Sequence, residues 1–562
     1  MAEEYDELEA WLGREPERPP TQQLGVVVGG SLSKGLDVKL DQQAVIEGLA
    51  VGRYVVVHGK TGRRFFSIVT DVALDSTNPL VEKYPPAADA AFVREVYAGT
   101  TTFGRLHVVP MLMLKAGEDE PRPVKTIPNH FTPVFDASAE DVDLIFGDPQ
   151  REGYFHIGDP LEMDGIPIAL DLRRFAERSG GIFGKSGTGK TFLTRLILAG
   201  LIRESKAVNL VFDMHNEYGW KSQSEDQTEV KGLRQLFTGG QVSVFTLDPD
   251  SSRRRGSKVD FTIRIGYDQI EPEDVAMVAS LMSLSEVQMG AIYYLRRLLG
   301  TRWVSRLLDE DDPLEELEPV LERGNLHGGT LGAIQRKLGM FRRFGFMQER
   351  VSGDPVQQIL NYLDSGTSVV LEFGRYGNSL EAYLLVANYI TRRIHGKYVR
   401  RKEDALGGQG DEPPQLVITI EEAHKFLDPA IAGQTIFGTI ARELRKYNVT
   451  LLIVDQRPSG IDSEVMSQVG TRVTCLLDDE ADIRAVLTGI SGANQLREVL
   501  ARLDTRQQAL IMGHAVPMPV VVKTRPYDTE FYAEIGYRED EDAHAIVERN
   551  RALLRGEEEI EI

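Results

Sequence analysis

Gly184-Lys185-Ser186-Gly187-Thr188-Gly189-Lys190-Thr191 is a complete G-x-x-x-x-G-K-[ST] phosphate-binding loop. The apolar run before it, Gly180-Gly181-Ile182-Phe183, reads as a short buried strand. The stretch after it, with Leu193, Leu196, Ile197 and Ile202, reads as an amphipathic helix. Glycines let backbone N–H groups curl around a β-phosphate, and the helix N-terminus adds partial positive charge. Lys190 is expected to reach the β- and γ-phosphates, and the Thr191 hydroxyl to hold Mg²⁺. Strand, loop, Lys-Thr pair and helix stand in register, so the segment predicts a nucleoside triphosphate site.

A second segment completes such a site. Leu416–Ile420 reads as a buried strand delivering Glu421-Glu422-Ala423-His424 at its carboxyl end. Paired carboxylates there suit ATP hydrolysis, with Glu421 assigned to Mg²⁺ and Glu422 to the attacking water. Most such sites begin with Asp, and Glu421 adds one methylene of reach. Another apolar run, Thr450–Val454, ends in Asp455-Gln456, which sets Gln456 where a γ-phosphate is sensed. Asp213-Met214-His215-Asn216-Glu217-Tyr218 reads as a polar loop at the carboxyl edge of the sheet rather than a metal cluster. Arg442 and Arg445 share one helix face, which in a ring ATPase can reach a neighbour's γ-phosphate. Arg253-Arg254-Arg255 with Lys258 is the strongest basic run and a candidate contact for nucleic-acid phosphates, or else a surface loop.

The alternation of strands and helices after Gly180 predicts an α/β fold with a mostly parallel sheet covered on both faces. Residues 24–120 are instead rich in short strands (Leu24–Val28, Val51–Val57, Arg64–Val72, Leu106–Leu114), which predicts a small β-barrel. The ATPase domain is expected over 121–535, with a helical insertion at about 271–364 that includes helices over Val275–Leu284 and Met289–Leu299. Within it, Asp309–Glu322 carries eight carboxylates and reads as a solvated face. Arg400–Pro414 reads as a surface loop. Residues 1–23 read as an acidic tail and linker, with a short acidic helix expected over 1–12 and a stiff Pro-rich linker over Arg14–Pro20, and 536–562 read as an acidic tail.

Of 562 residues, 42% are hydrophobic and 27% charged, an ordinary balance for a globular protein. No apolar run is long enough to span a membrane, and the N-terminus lacks the basic start and apolar stretch of a secretory signal. Cys475 is the sole cysteine, which excludes a disulfide framework or a thiolate zinc site. A cytoplasmic protein is expected. Nearly half of the net charge of −21 lies in the two ends, with net −5 in residues 1–20 and again in 538–562. Screening confines exposed charge to about 10 Å, so an acidic exterior is compatible with a locally basic channel.

Taken together, these segments resemble the HerA family, in the HerA/FtsK branch of RecA-like P-loop translocases, over about residues 24–525. The likeness rests on Gly184–Thr191, the Asp213-x-His215-x-Glu217-Tyr218 loop, Ile420–His424, Ala441–Tyr447 and Gln456–Ser459. Asp482–Arg484 and Ala509–Pro519 also look like that family's late region. The resemblance implies a homohexameric ring that moves double-stranded DNA through its pore at the expense of ATP, preceded by a HerA–ATP synthase-like barrel. It implies a NurA-like nuclease as partner in DNA end resection, or another effector, as in antiphage relatives. Arg178 matches a position that senses nucleotide within one subunit, and Arg442 and Arg445 match the segment whose arginine acts in trans. The rival expectation is an ATP-gated hexameric scaffold that assembles and regulates its effector with little motion on DNA.

Overall fold

The computed structural model describes residues 23–537, apart from 43, 99, 119, 162, 224–228, 310–327, 444, 445, 491 and 506. The expected N-terminal helix and linker, the acidic C-terminal tail, most of Asp309–Glu322 and Arg445 lie outside the described residues.

Near the N-terminus, seven antiparallel strands form one sheet, and six of them pair in a closed circuit. Gly35–Leu40 pairs with both Gln23–Ser31 and Thr102–Leu114; Pro133–Asp136, Tyr54–His58 and Arg64–Ser76 supply the other links. The period-two pattern of these strands explains how they serve two cores. Val55, Val57, Phe65 and Val69 bury themselves with Leu36, Val38, Leu106 and Val108 inside the circuit. Their alternates Tyr54, Val56, Phe66 and Ile68 join the core of the rest of the molecule. At this junction the Tyr54 hydroxyl donates to Pro519 O at 3.0 Å and accepts the Val521 N–H at 3.1 Å.

Pro133–Asp136 carries this sheet past the expected boundary at 120. Four residues beginning with proline are too short to display alternation, so the segment does not announce itself.

The second sheet has twelve strands and makes the protein α/β. Its parallel part runs Phe261–Thr262, Val242–Thr246, Ser368–Glu372, Val208–Asp213, Leu416–Glu421, Val449–Asp455, Gly180–Phe183, Thr471–Thr474. Gln508–Gly513, Val520–Thr524, Tyr154–Pro160 and Ile168–Asp171 then extend it antiparallel. Every residue of Leu416–Glu421 and Val449–Asp455 is buried, as expected for strands covered on both faces. The strands leading to the phosphate loop, Gln456, Glu421 and Asp213 are consecutive neighbours, so their carboxyl ends converge.

Two helix expectations need correction. The helix after Ser379 runs Leu380–Leu406, so it takes up the first half of the expected loop Arg400–Pro414. Arg, Lys, Glu, Ala and Leu are good helix formers, and their polarity here marks the exposed final turns. Conversely, the helix expected over Val275–Leu284 is Pro272–Ala276 followed by turns, with Ser283 at φ +52. Met289–Leu299 lies inside Glu286–Leu299, which Ser285 and Gln288 close with a capping box. Buried Asp274 ties this region to the long helix by accepting from Arg392 at 3.1 Å and Arg393 at 3.0 Å. Among the described residues, no helix is long and apolar enough to cross a membrane.

Candidate nucleotide site

The phosphate loop leaves the strand Gly180–Phe183 and enters the helix Lys190–Arg203. Gly184 at φ +153 and Gly189 at φ +89 take backbone conformations that side chains resist. A Cβ at Gly184 would also stand 2.8 Å from Cys475 Cβ and from Thr188 Oγ1. The loop is braced from within. Thr188 Oγ1 donates to Lys185 O at 2.8 Å, and the Lys190 ammonium donates to the same carbonyl at 2.7 Å. Lys185 itself reaches outward to Asp478 at 2.9 Å. Burial lowers the Lys190 pKa from its ordinary value, against the pull of Glu422, Asp455 and Glu421.

Glu421 and Glu422 are adjacent in sequence but differ in surroundings. Glu421 is buried; Tyr218 OH donates to its Oε1 at 2.8 Å, while its Oε2 is buried without a hydrogen-bond partner among the described residues. Burial, then the nearby Asp213 charge, pushes Glu421 up to about 8. Tyr383 OH holds the Glu421 backbone, bonded to both its O and its N–H at 3.1 Å. Glu422 takes φ +49, a left-handed conformation that a non-glycine residue keeps only when its surroundings impose it. Its side chain faces the cavity, and Gln456 Nε2 donates to Glu422 Oε1 at 3.1 Å.

Asp455, wholly buried at the tip of the neighbouring strand, clamps this turn. It accepts the backbone N–H of His424 at 2.7 Å, the His424 ring Nδ1–H at 3.0 Å and the Arg457 N–H at 2.6 Å. The hydrogen bond to Asp455 raises the His424 pKa above its ordinary value.

The Asp213–Tyr218 loop closes the other side. Asp213 accepts the N–H groups of Glu217, Tyr218 and Gly219 at 2.7, 2.9 and 3.1 Å, which curls the chain back. Burial, with Glu372 adding to it, pushes Asp213 up to about 7. Arg195, one turn into the helix after the phosphate loop, donates to Glu217 O and to Ser222 Oγ, the latter at 2.6 Å.

These elements enclose a cavity of about 410 Å³. Ser186, Gly187, Gly189, Lys190 and Thr191 line one wall, and Glu421, Glu422 and Gln456 face them. His215, Glu217 and Arg195 close it, so the loop read from the sequence as a polar loop at the carboxyl edge of the sheet lines the cavity. The sequence reading missed Arg195, the tie from Tyr218 to Glu421, and the clamp from Asp455 to His424. An aromatic closing a polar loop and a histidine just after paired carboxylates were the available signals. Thr191 and Glu421 are the residues that would hold Mg²⁺. The unpartnered Glu421 Oε2 fits that role, since a cation satisfies a buried acceptor and favours its ionised form.

The remaining candidates lie elsewhere. Arg178 ends the helix Leu172–Glu177 and does not line the cavity; its side chain packs on Gly470, where a Cβ would stand 2.6 Å away. Arg442 is engaged within its own chain, with Nε 3.2 Å from Glu464 and Nη1 donating to Ala432 O at 3.3 Å. The basic run forms the short helix Pro249–Arg254 and its end, and divides. Arg253, Arg254 and Lys258 are exposed. Arg255 turns inward to buried Glu372 at 2.7 Å.

A family model described as the helicase HerA central domain matches residues 155–394. The DNA double-strand break repair helicase HerA of Sulfolobus acidocaldarius is 31% identical over 519 residues, covering 90% of this chain and 93% of the relative. Its counterpart in Sulfurisphaera tokodaii is 26% identical over 422 residues, covering 71% and 73%. Among solved structures, the bacterial conjugative coupling protein TrwB matches with a TM-score of 0.44 at 11% identity, covering 69% of this chain and 92% of that one. At this identity and coverage, the chain belongs to the HerA helicase family and is an ATP-hydrolysing enzyme.

Proposed function

We propose that this protein is an ATP-driven translocase of double-stranded DNA that works as a homohexamer with a partner nuclease in the processing of DNA ends. The observation that carries the reading is the cavity in which Lys190 and Thr191 face Glu421, Glu422 and Gln456. Lys190 offsets the charge of the β- and γ-phosphates, and Glu422 polarises the attacking water. Gln456, already hydrogen-bonded to Glu422, links γ-phosphate occupancy to that carboxylate. Mg²⁺, when bound, neutralises phosphate charge beside Thr191 and Glu421. Either Arg442, once released from its own chain, or Arg445 completes the site of a neighbouring subunit, and Arg178 senses nucleotide from its own side. The N-terminal sheet, with its closed circuit of pairings, acts as a barrel collar on the ring. DNA phosphates are met by Arg253, Arg254 and Lys258. The relative from Sulfolobus acidocaldarius, named for DNA double-strand break repair, supports the substrate and the pathway.

Two substitutions test the chemistry. Lys190→Ala is expected to lose nucleotide binding. Glu422→Gln is expected to bind ATP at near-normal affinity while turnover falls about 100-fold or more, the contribution of a positioned base. Near-normal turnover in Glu422→Gln would move the water-activating role to another group.

A further inference from the structure

We propose that His424 is a positioning residue for ATP hydrolysis, holding the Glu422 carboxylate in its working orientation with Asp455 fixing the ring from behind. The inference rests on the reading of Glu422 as the group that activates water. Its own evidence is the arrangement around that carboxylate. Gln456 Nε2 donates to Glu422 Oε1 at 3.1 Å, and His424 Nε2 stands 3.8 Å from Glu422 Oε2. The two oxygens are thus addressed from two elements, the end of the strand Val449–Asp455 and the start of the helix His424–Leu427.

The ring is not free to turn away. Asp455 is wholly buried and accepts from Nδ1 at 3.0 Å and from the His424 backbone N–H at 2.7 Å. A histidine whose Nδ1–H is held by a carboxylate presents its other nitrogen in one direction, here toward Glu422. Gly460 backs the ring; a Cβ there would stand 3.2 Å from His424 Cβ. The charged groups acting on His424 are Asp455 and Glu422, which favour the imidazolium, and Lys425, which opposes it. In the imidazolium form both nitrogens donate, so the ring pulls Glu422 Oε2 while Asp455 anchors it.

Backbone strain supplies the need for such a grip. Glu422 sits at φ +49, a conformation that relaxes unless neighbours over-determine it. The 3.8 Å separation is within ion-pair reach and longer than a hydrogen bond.

Two amide substitutions separate the two faces of the ring. The shorter amide of His424→Asn reproduces the Nδ1 side and keeps the clamp on Asp455, but does not reach Glu422. The longer amide of His424→Gln extends to where Nε2 stands. In full-length protein, His424→Asn is expected to lower kcat about tenfold or more, with KM for ATP and melting temperature near those of wild type. His424→Gln should retain several-fold more turnover than His424→Asn. Wild-type kcat in His424→Asn would overturn the proposal. So would equal losses in both variants that track a fall in melting temperature, which would make His424 structural only. Glu422→Gln, run alongside, separates the two claims. If it hydrolyses ATP normally, the reading of Glu422 fails; if it is inactive while His424→Asn is normal, only the role of His424 fails.

Discussion

Glu421 carries a carboxyl pushed up to about 8 by burial, and this has a consequence for stability. Below its ordinary value of 4.5 the group is protonated whether the chain is folded or unfolded, and its contribution is fully present. As pH rises toward 8, the unfolded chain releases that proton and the folded one keeps it, so stability is lost, by up to about 1.4 kcal/mol per pH unit. Without nucleotide or Mg²⁺, the wild-type melting temperature should therefore fall more steeply between pH 5 and 8 than that of Glu421→Gln. Parallel melting curves for the two proteins over that range would contradict the burial of an uncompensated carboxyl. Cys475 makes a second case. Burial raises its thiol to about 11 behind Gly184, so alkylation at neutral pH should require unfolding. Modification of native protein at the rate of a free thiol would contradict that placement.

Single segments show what the sequence can and cannot announce. Gly184–Thr191 and Leu416–Glu422 are legible because their chemistry is local, with residue types at fixed spacing on one strand–turn unit. Val242–Thr246 and Ser368–Glu372 escape such a reading, since five-residue strands buried on both faces have no alternation to distinguish them. Tyr218 and Glu421 meet across 203 positions of sequence, and no pattern within either segment records that meeting. The basic run shows the same limit, because Arg255 differs from its two neighbours only in facing Glu372. Arg253→Ala with Arg254→Ala and Lys258→Ala should weaken duplex-DNA binding and reduce its salt dependence, leaving basal ATP hydrolysis intact. Arg255→Ala should instead destabilise the fold, by leaving buried Glu372 with the Ser252 and Ser257 hydroxyls alone among the described residues. Binding assays across a salt series and thermal melts check the two outcomes; an unchanged salt slope in the triple variant would assign that helix to the outer surface.

Across the whole molecule, two sheets share one interface, and the nucleotide site lies at the carboxyl edge of the larger. The buried polar contact across that interface, Tyr54 OH to Pro519 O and Val521 N–H, ties the N-terminal sheet to the antiparallel extension. Tyr54→Phe should cost about 1 to 2 kcal/mol in a thermal melt, the penalty of leaving buried partners unpaired. Action as a DNA motor requires that the cavity of Lys190, Glu422 and Gln456 respond to a ligand bound elsewhere in the assembly. ATP turnover by the full-length protein, measured with and without linear duplex DNA at moderate salt, reads that response directly. A several-fold stimulation by duplex DNA, abolished in Glu422→Gln and eroded by added salt, is the predicted result. Turnover that DNA leaves unchanged, even with a partner nuclease present, would contradict translocation and leave an ATP-gated scaffold in its place.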